Sequence, residues 1–368
     1  MKILQICSSE SWGGMEMHVC ALAKALRQQG FDITVAAAAG SDIDAFCNEH
    51  NLPFFKFQPS GYLSPLCVFR LFRLLKRENF DILHVHYSLD LWTVIPANLT
   101  TKIPVVFIKH IGTARSKKDP FHRFLYRRIC CNIAISLVIA ENLKQTHPID
   151  PERIRVVHHG IRLQTFDAAA DARQRMRAEL KIASDEFLIG NIGRLQIGKG
   201  HLEFLQMAAD IRKEYPKVKF IVIGEPTRGE EEKANAIYQR HRELVLGDIV
   251  LMPGFRRDIP ELLSAMDIFV FPSHAEAFGL VLIEAMAAGL AVVSSNCDGV
   301  LDIVRHGREG LLVPPGDHHA LSGAVKALLD HPEERKRMAM AARNRVEKQF
   351  TFDKMIEKII QIYNNCID

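Results

Sequence analysis

Ile268–Phe271 (IFVF), Pro272–Gly279 (PSHAEAFG), Leu280–Gly289 (LVLIEAMAAG) and Ala291–Ser294 (AVVS) together decide the fold. A short apolar run, a polar loop, a helix-length apolar stretch and a second short apolar run make one strand, loop, helix, strand unit. Neither run alternates apolar with polar. Both faces of each strand are therefore buried, as in a parallel sheet covered on both sides. The same rhythm extends outward to both ends of the chain. Strands are predicted at Ile3–Cys7, Ile33–Ala38, Phe54–Phe57, Ile82–Val85, Val105–Ile108, Ile133–Ile135 and Ile154–Val157. A second series runs Phe187–Ile192, Phe220–Gly224, Ile249–Leu251, Ile268–Phe271, Ala291–Ser294 and Leu311–Val313. Helical stretches such as Glu16–Gln29, Cys67–Glu78 and Leu137–Thr146 fill the gaps. The pattern predicts an α/β protein of two doubly wound, Rossmann-like domains.

The boundary is expected within Arg162–Arg177, where an Ala/Asp/Arg-rich stretch breaks the rhythm. Residues 1–165 then form the N-terminal domain and 166–350 the second. The chain closes on two helical patterns, His331–Phe350 and Thr351–Asn364, with no strand after them. The last, 351–368, is expected to cross back to the first domain.

A chain of 368 residues, 48% hydrophobic and 24% charged, is long enough for two cores. That balance excludes disorder, collagen and coiled coil. No uncharged run reaches the roughly eighteen residues of a membrane-spanning helix. The apolar start at Ile3–Cys7 reads as a buried strand and not as a signal peptide, which predicts a cytoplasmic protein. Eight cysteines without a C-x-x-C spacing read as free thiols. Charge is uneven: residues 1–165 carry 20 Lys+Arg against 13 Asp+Glu, and 166–368 carry 27 against 30. The excess gathers at Arg70, Arg73, Lys76 and Arg77, then at Arg115, Lys117, Lys118, Arg123, Arg127 and Arg128. Such a surface suits anionic lipid or a phosphorylated partner. No nucleic-acid motif accompanies it.

Three segments carry chemistry. Ser11–Gly14 follows the first strand and opens a helix, where Gly13 and Gly14 let amides approach a phosphate. Gly193-Arg194-Leu195 with Lys199-Gly200-His201 holds the symmetric position in the second half. Arg194 offers a planar fork and Lys199 a point charge, a pair suited to a pyrophosphate between the domains. In Glu276–Glu284 a loop carboxylate precedes Phe278-Gly279-Leu280 at a helix start, and Glu284 follows in its second turn. Carboxylates with exposed amides suit sugar hydroxyls, and Glu284 could take a vicinal diol.

The run Pro272-Ser273-x-x-Glu276-x-Phe278-Gly279-Leu280-x-x-x-Glu284-Ala285-Met286-Ala287-x-Gly289 resembles the E-x7-E signature of retaining, nucleotide-sugar-dependent glycosyltransferases of family 4, which have the GT-B fold. The resemblance covers almost the whole chain. It takes in Gly13-Gly14, the strand end Asp81–His86, His110, Gly193-Arg194-Leu195, Lys199-Gly200 and Gly307–Pro314. It implies two domains facing each other across a cleft. It also implies a sugar moved from a nucleotide-diphosphate-sugar donor to a hydroxyl acceptor, such as a lipid-linked saccharide or lipopolysaccharide core. By resemblance, Gly13, Gly14, Arg194 and Lys199 hold the donor phosphates and Glu284 the ribose. Glu276 with the amides of Phe278, Gly279 and Leu280 holds the sugar, Gly254-Phe255-Arg256 meets the base, and His110 approaches the transferred sugar. Of these, His110 and Glu276 are the expected catalytic residues. No cofactor is implied beyond the donor. Two places depart from the family pattern: Asp298-Gly299-Val300-Leu301-Asp302, and His159-Gly160-Ile161-Arg162.

Asp42 and Asp44 read as helix-capping residues and not as a metal pair. His84 and His86 have a chelating spacing, but no third ligand is evident in sequence, so no metal is predicted. The near rival, sharing the fold, is a nucleotide-sugar epimerase or disaccharide phosphorylase; the distant one is a non-catalytic nucleotide-sugar binding module. A nicotinamide dehydrogenase is disfavoured because G-x-G-x-x-G is absent from every strand–helix junction.

Overall fold

The computed structural model describes residues 1–367 apart from Leu63, Thr227, Arg228 and Glu230. The chain forms two compact units, Met1–His158 with Lys354–Asp368, and His159–Asp353.

The first unit is built on seven parallel strands. They are β1 (Lys2–Cys7), β2 (Asp32–Ala37), β3 (Phe54–Lys56), β4 (Ile82–Val85), β5 (Val105–Lys109), β6 (Ile129–Ala134) and β7 (Ile154–Val156), in the order β3-β2-β1-β4-β5-β6-β7. Between them run α1 (Gly14–Gln28), α2 (Asp42–Glu49), α3 (Pro65–Glu78), α4 (Leu91–Ala97), α5 (Pro120–Tyr126) and α6 (Leu137–Thr146). Ile3 sits opposite Ile33 on one side and Ile82 on the other. Ile3, Leu4 and Ile6 are wholly buried, as an apolar run in a central parallel strand must be. Local polar residues set the helix starts. Ser41 accepts from the Asp44 amide at 3.3 Å, and Asp119 accepts from the Phe121 and His122 amides at 3.1 Å each. Asp44 in turn accepts from the Gly40 amide at 2.8 Å, so the capping residue is Ser41, and Asp42 and Asp44, expected to cap, lie inside the first turn with Asp44 bracing the loop before it. On α3, Leu71 and Leu75 enter the core while Leu66 and Phe69 stand exposed beside Arg70 and Arg73.

The second unit has six parallel strands: β8 (Phe187–Ile192), β9 (Val218–Ile223), β10 (Val250–Gly254), β11 (Ile268–Phe271), β12 (Ala291–Ser295) and β13 (Gly310–Val313). Their order is β10-β9-β8-β11-β12-β13. Its helices begin with α7 (Leu163–Ala169), α8 (Arg173–Glu179), α9 (His201–Ile211), α10 (Glu231–Glu243) and α11 (Ile259–Ala265). They continue with α12 (Leu280–Ala287), α13 (Val300–Ile303), α14 (His318–Asp330) and α15 (Pro332–Gln349), and α16 (Phe352–Ile367) ends the chain. The division at His158/His159 falls before the stretch Arg162–Arg177, because that stretch is not a linker. Arg173 and Arg177 both reach Asp267, at 2.6 and 3.3 Å, and donate to the carbonyls of Ser264, Ala265 and Met266. These bonds fasten α8 to the rest of the second unit.

From Lys354 onward α16 belongs to the first unit. Met355, Ile356, Ile359 and Tyr363 are buried. The Tyr363 hydroxyl shares a 2.6 Å hydrogen bond with His84 Nδ1, and both side chains are fully buried. Burial pushes the His84 pKa down to about 3, which keeps its ring neutral. Cys130 of β6 forms a disulfide with Cys366 of α16, 236 residues away, with their Cα atoms 6.1 Å apart. This corrects the expectation that all eight cysteines are free. The partners have no recognisable spacing, since only the return of α16 brings them together. The remaining six are free and buried.

Tyr363→Phe should cost about 1–3 kcal/mol, because it leaves a buried imidazole nitrogen without its partner. The check is urea denaturation, in which the midpoint falls and the slope is unchanged. An unshifted midpoint would mean that the bond contributes nothing.

Candidate functional site

In each sheet the strand order reverses once, between β1 and β4 in the first and between β8 and β11 in the second. At such a reversal the flanking connections leave on opposite faces, which opens a crevice at the carboxyl ends of the strands. Most of the residues singled out from the sequence lie on loops at these two places; Gly254-Phe255-Arg256 lies apart, at the edge strand β10.

In the second unit the loops after β8, β11 and β12 are laced together. The Lys199 ammonium and the Glu276 carboxylate form a 2.7 Å ion pair. The His274 amide donates to the Gly198 carbonyl at 2.8 Å. Asp298 Oδ2 accepts from the Glu276 amide at 3.3 Å, while the Gly299 amide donates to the Glu276 carbonyl at 2.9 Å. The departure Asp298-Gly299 thus grips the backbone of Glu276 from both sides. Two glycines are required by contact. A Cβ on Gly200, where φ is +77°, would lie 2.0 Å from the Pro272 carbonyl oxygen, and one on Gly299 would lie 2.4 Å from that of Ala277. Arg194 is exposed beside this network, and its carbonyl is held by His201 Nε2 at 2.8 Å.

Gly279 caps α12 with φ of +101°. The Phe278 ring packs into the core 5.9 Å from that of Phe350, so its backbone, not its side chain, borders the loop. Leu280 opens the helix. Glu284 is half-buried in the second turn, and loss of water around its carboxyl pushes the pKa up to about 7. Gly254 ends the edge strand β10, roughly 14 Å from β11 at ordinary strand spacing. Phe255 is 58% exposed. The Arg256 guanidinium is taken up by Asp258 and Glu179, at 2.8 Å to each, and these carboxylates hold its pKa above the usual range. Arg256 therefore fixes the turn, and of the three expected residues the Phe255 side chain stands exposed.

In the first unit Gly13 caps α1 in an extended conformation, and a Cβ on Gly14 would meet nothing within 4 Å. His110 follows β5, His86 follows β4, and His18 lies on α1; all three are buried. The ring of His110 is 5.3 Å from that of His18 and 5.9 Å from that of His86. The three offer nitrogens within 4.8 Å of one another, a spacing able to hold a cation. His84, by contrast, is committed to Tyr363. The imidazoles whose nitrogens come close to those of His86 in this group belong to elements 68 positions earlier and 24 later in the chain, which no local spacing reveals. Asp210, His318 and His319 form a second such group among the described residues.

Glu284 gives a pH-dependent stability with a definite sign. A carboxyl whose folded pKa is raised above its unfolded value makes the folded state bind more protons, so stability is lost as pH climbs from about 4.5 toward about 7. Glu284→Gln should therefore gain about 1–3 kcal/mol relative to the parent between pH 5 and pH 8. Urea denaturation at the two pH values checks this, and a constant difference would refute the raised pKa.

Family models agree with this architecture. Residues 12–165 match Glycosyltransferase Family 4, and 172–345 match Glycosyl transferases group 1. The UDP-Gal:alpha-D-GlcNAc-diphosphoundecaprenol alpha-1,3-galactosyltransferase of Escherichia coli is 28% identical over 309 residues, 81% of this chain and 78% of that protein. A D-inositol 3-phosphate glycosyltransferase of Acidothermus cellulolyticus is 27% identical over 402 residues, 99% and 88% of the two chains. Among solved structures, Anabaena Alr3699/HepE in complex with UDP aligns at TM-score 0.86 and 23% identity, covering 99% of this chain and 100% of its own. A glycosyltransferase from Rickettsia africae aligns at 0.90 and 21%, covering 100% and 98%. Two parallel-sheet units carrying these loops, matched by both family models, make this chain a GT-B glycosyltransferase that belongs to the group 1, family 4 enzymes.

Proposed function

We propose that the chain moves a sugar from a nucleoside diphosphate sugar to a hydroxyl of a glycan or lipid-linked saccharide, with retained anomeric configuration and no metal ion, in synthesis of a bacterial cell-envelope glycan such as lipopolysaccharide or capsule. The observation that carries it is the Lys199–Glu276 pair at the crevice of the second sheet with Arg194 exposed beside it. An extended donor would lie along the carboxyl ends of the strands, its base at Phe255, its ribose on Glu284, its diphosphate at Arg194 and Lys199, and its sugar at Glu276 and the α12 amides. The acceptors named for the Escherichia coli and Acidothermus relatives both carry phosphate.

The anomeric C–O bond to the diphosphate breaks as the acceptor oxygen bonds to the same carbon from the same face, and the acceptor proton passes to the leaving phosphate oxygen. The side chains position and neutralise. Arg194, Lys199 and the helix N-termini stabilise charge developing on the leaving group, each cation contributing about 2.7–4 kcal/mol by analogy with oxyanion donors. Lys199 is held in direction by Glu276 beforehand, which avoids reorganisation during reaction. The imidazoles around His110 serve as hydrogen-bonding partners of sugar hydroxyls. Arg194→Ala and Lys199→Ala should each lower kcat/KM about a hundredfold or more in a donor-turnover assay, and the parent should work undiminished in EDTA. Full activity in both variants would end the phosphate assignment. Loss with chelator and recovery with Mg²⁺ or Mn²⁺ would end the metal-free reading.

The first unit would meet its acceptor at an anionic membrane surface. Arg70, Arg73, Lys76 and Arg77 line one groove of about 530 Å³ with Phe55 and Phe72. Among the described residues no helix is long and apolar enough to cross a membrane, so attachment would be electrostatic, at about 1 kcal/mol for each basic residue near the surface. Co-sedimentation should show binding to anionic but not neutral vesicles, abolished by salt. Equal partitioning onto both would favour a soluble acceptor.

A further inference from the structure

His86 is the first residue after β4 and His110 the first after β5, and these strands pair in parallel. The two histidines therefore stand at the carboxyl ends of neighbouring strands. The His86 amide donates to the Ile6 carbonyl of β1 at 2.9 Å, which fixes its backbone. Lys109, which precedes His110, pairs with Ala134 of β6. His18 stands in the second turn of α1, whose start is closed by the Met17 amide on the Gly13 carbonyl at 3.0 Å. Three ordered elements thus bring three imidazoles together. Their ring centres are 5.3 Å (His18 to His110), 5.7 Å (His18 to His86) and 5.9 Å (His86 to His110) apart. His86 is 2% exposed, and His18 and His110 are 7% exposed. The ring of His84 packs 4.2 Å from that of His86, and its bond to Tyr363 keeps it out of the set.

The three rings offer nitrogens within 4.8 Å of one another. A tetrahedral ion with metal–nitrogen bonds of about 2.0–2.1 Å places its ligand atoms about 3.4 Å apart. Closing from 4.8 Å asks each ring to move by about 1 Å or less. The donor chemistry narrows the ion. Three imidazoles without a carboxylate suit Zn²⁺, Co²⁺, Ni²⁺ or Cu²⁺ and not Mg²⁺ or Mn²⁺, which favour oxygen. Three protein ligands also leave one corner of the tetrahedron open. The group Asp210, His318 and His319 is of another kind, since His319 is exposed and Asp210 already pairs with Lys213 at 3.2 Å.

We propose that His18, His86 and His110 form a binding site for a divalent transition-metal ion of the zinc class, with water or another small oxygen ligand in the open position. The ion takes no part in sugar transfer. Its effect on turnover rests on the transferase reading, in which the imidazoles around His110 serve sugar hydroxyls. An ion held by the same rings takes those partners away, so occupancy inhibits and a chelator restores activity. A reaction that needs no metal and a metal site that silences it then coexist in one protein.

Zn²⁺ is the probe, titrated calorimetrically into tag-free, EDTA-stripped and dialysed protein carrying His318→Ala/His319→Ala, so that the exposed group cannot take it. One ion should bind per chain, and affinity should fall about a hundredfold or more on adding His18→Asn or His110→Asn. No binding, or unchanged affinity in both variants, would overturn the site. Co²⁺ gives a reading that needs no ligand variant and so stands even if these fail to fold. Strong visible absorption of four-coordinate cobalt without a thiolate band is expected. Weak absorption of six-coordinate cobalt, or a thiolate band, would overturn the three-imidazole set. In the donor-turnover assay Zn²⁺ should suppress the rate and EDTA should return it. Four-coordinate cobalt without inhibition would keep the metal site and remove these imidazoles from the sugar. Turnover without any bound ion would keep the transferase reading and end this one.

Discussion

Parallel strands cannot be joined by tight turns, and every crossover must carry the chain back across a face of the sheet. Both faces are then sealed by helices, and polar chemistry is confined to the loops at the strand ends. Where the order reverses, neighbouring crossovers part and leave an opening. This constraint acts twice, at β1/β4 and at β8/β11, and it accounts for why residues from distant parts of the sequence meet: His18, His86 and His110 at one reversal, Lys199 and Glu276 at the other.

Much of this was legible in the sequence, for a physical reason. A strand buried on both faces needs an unbroken apolar run, and all thirteen strands left that trace, with ends displaced by a few residues where pairing continues past the apolar stretch. Ile133–Ile135 is the poorest match. The β6 strand begins at Ile129 because Cys131 and Asn132 pair with β5 as well as isoleucine does, while Cys130 is passed over in an irregularity of the ladder. The loop residues of the second unit were also legible, since glycines and charges cluster at the junctions that the strand pattern marks. What could not be read was partnership across sequence distance. Cys130 with Cys366, His84 with Tyr363 and Arg256 with Asp258 and Glu179 depend on how the elements lie in space.

The two crevices differ in electrostatic character. The second unit offers a charged pair already neutralised, Lys199 against Glu276, braced by Asp298 and Gly299. These contacts order the loops without help from any other group. The first unit offers buried imidazoles instead, His18, His86 and His110.

The return of α16 also governs the order in which the molecule can be completed. The first unit is translated first, yet Met355, Ile356, Ile359 and Tyr363 of its core are made after nearly the whole second unit. Until then the nascent sheet carries an uncovered apolar face and an imidazole with no hydroxyl beside it. Domains usually fold as units in the order of their synthesis. Here the second unit can close while the first still waits for its last helix, so the ribosome-bound chain is most exposed to misassociation at its oldest end.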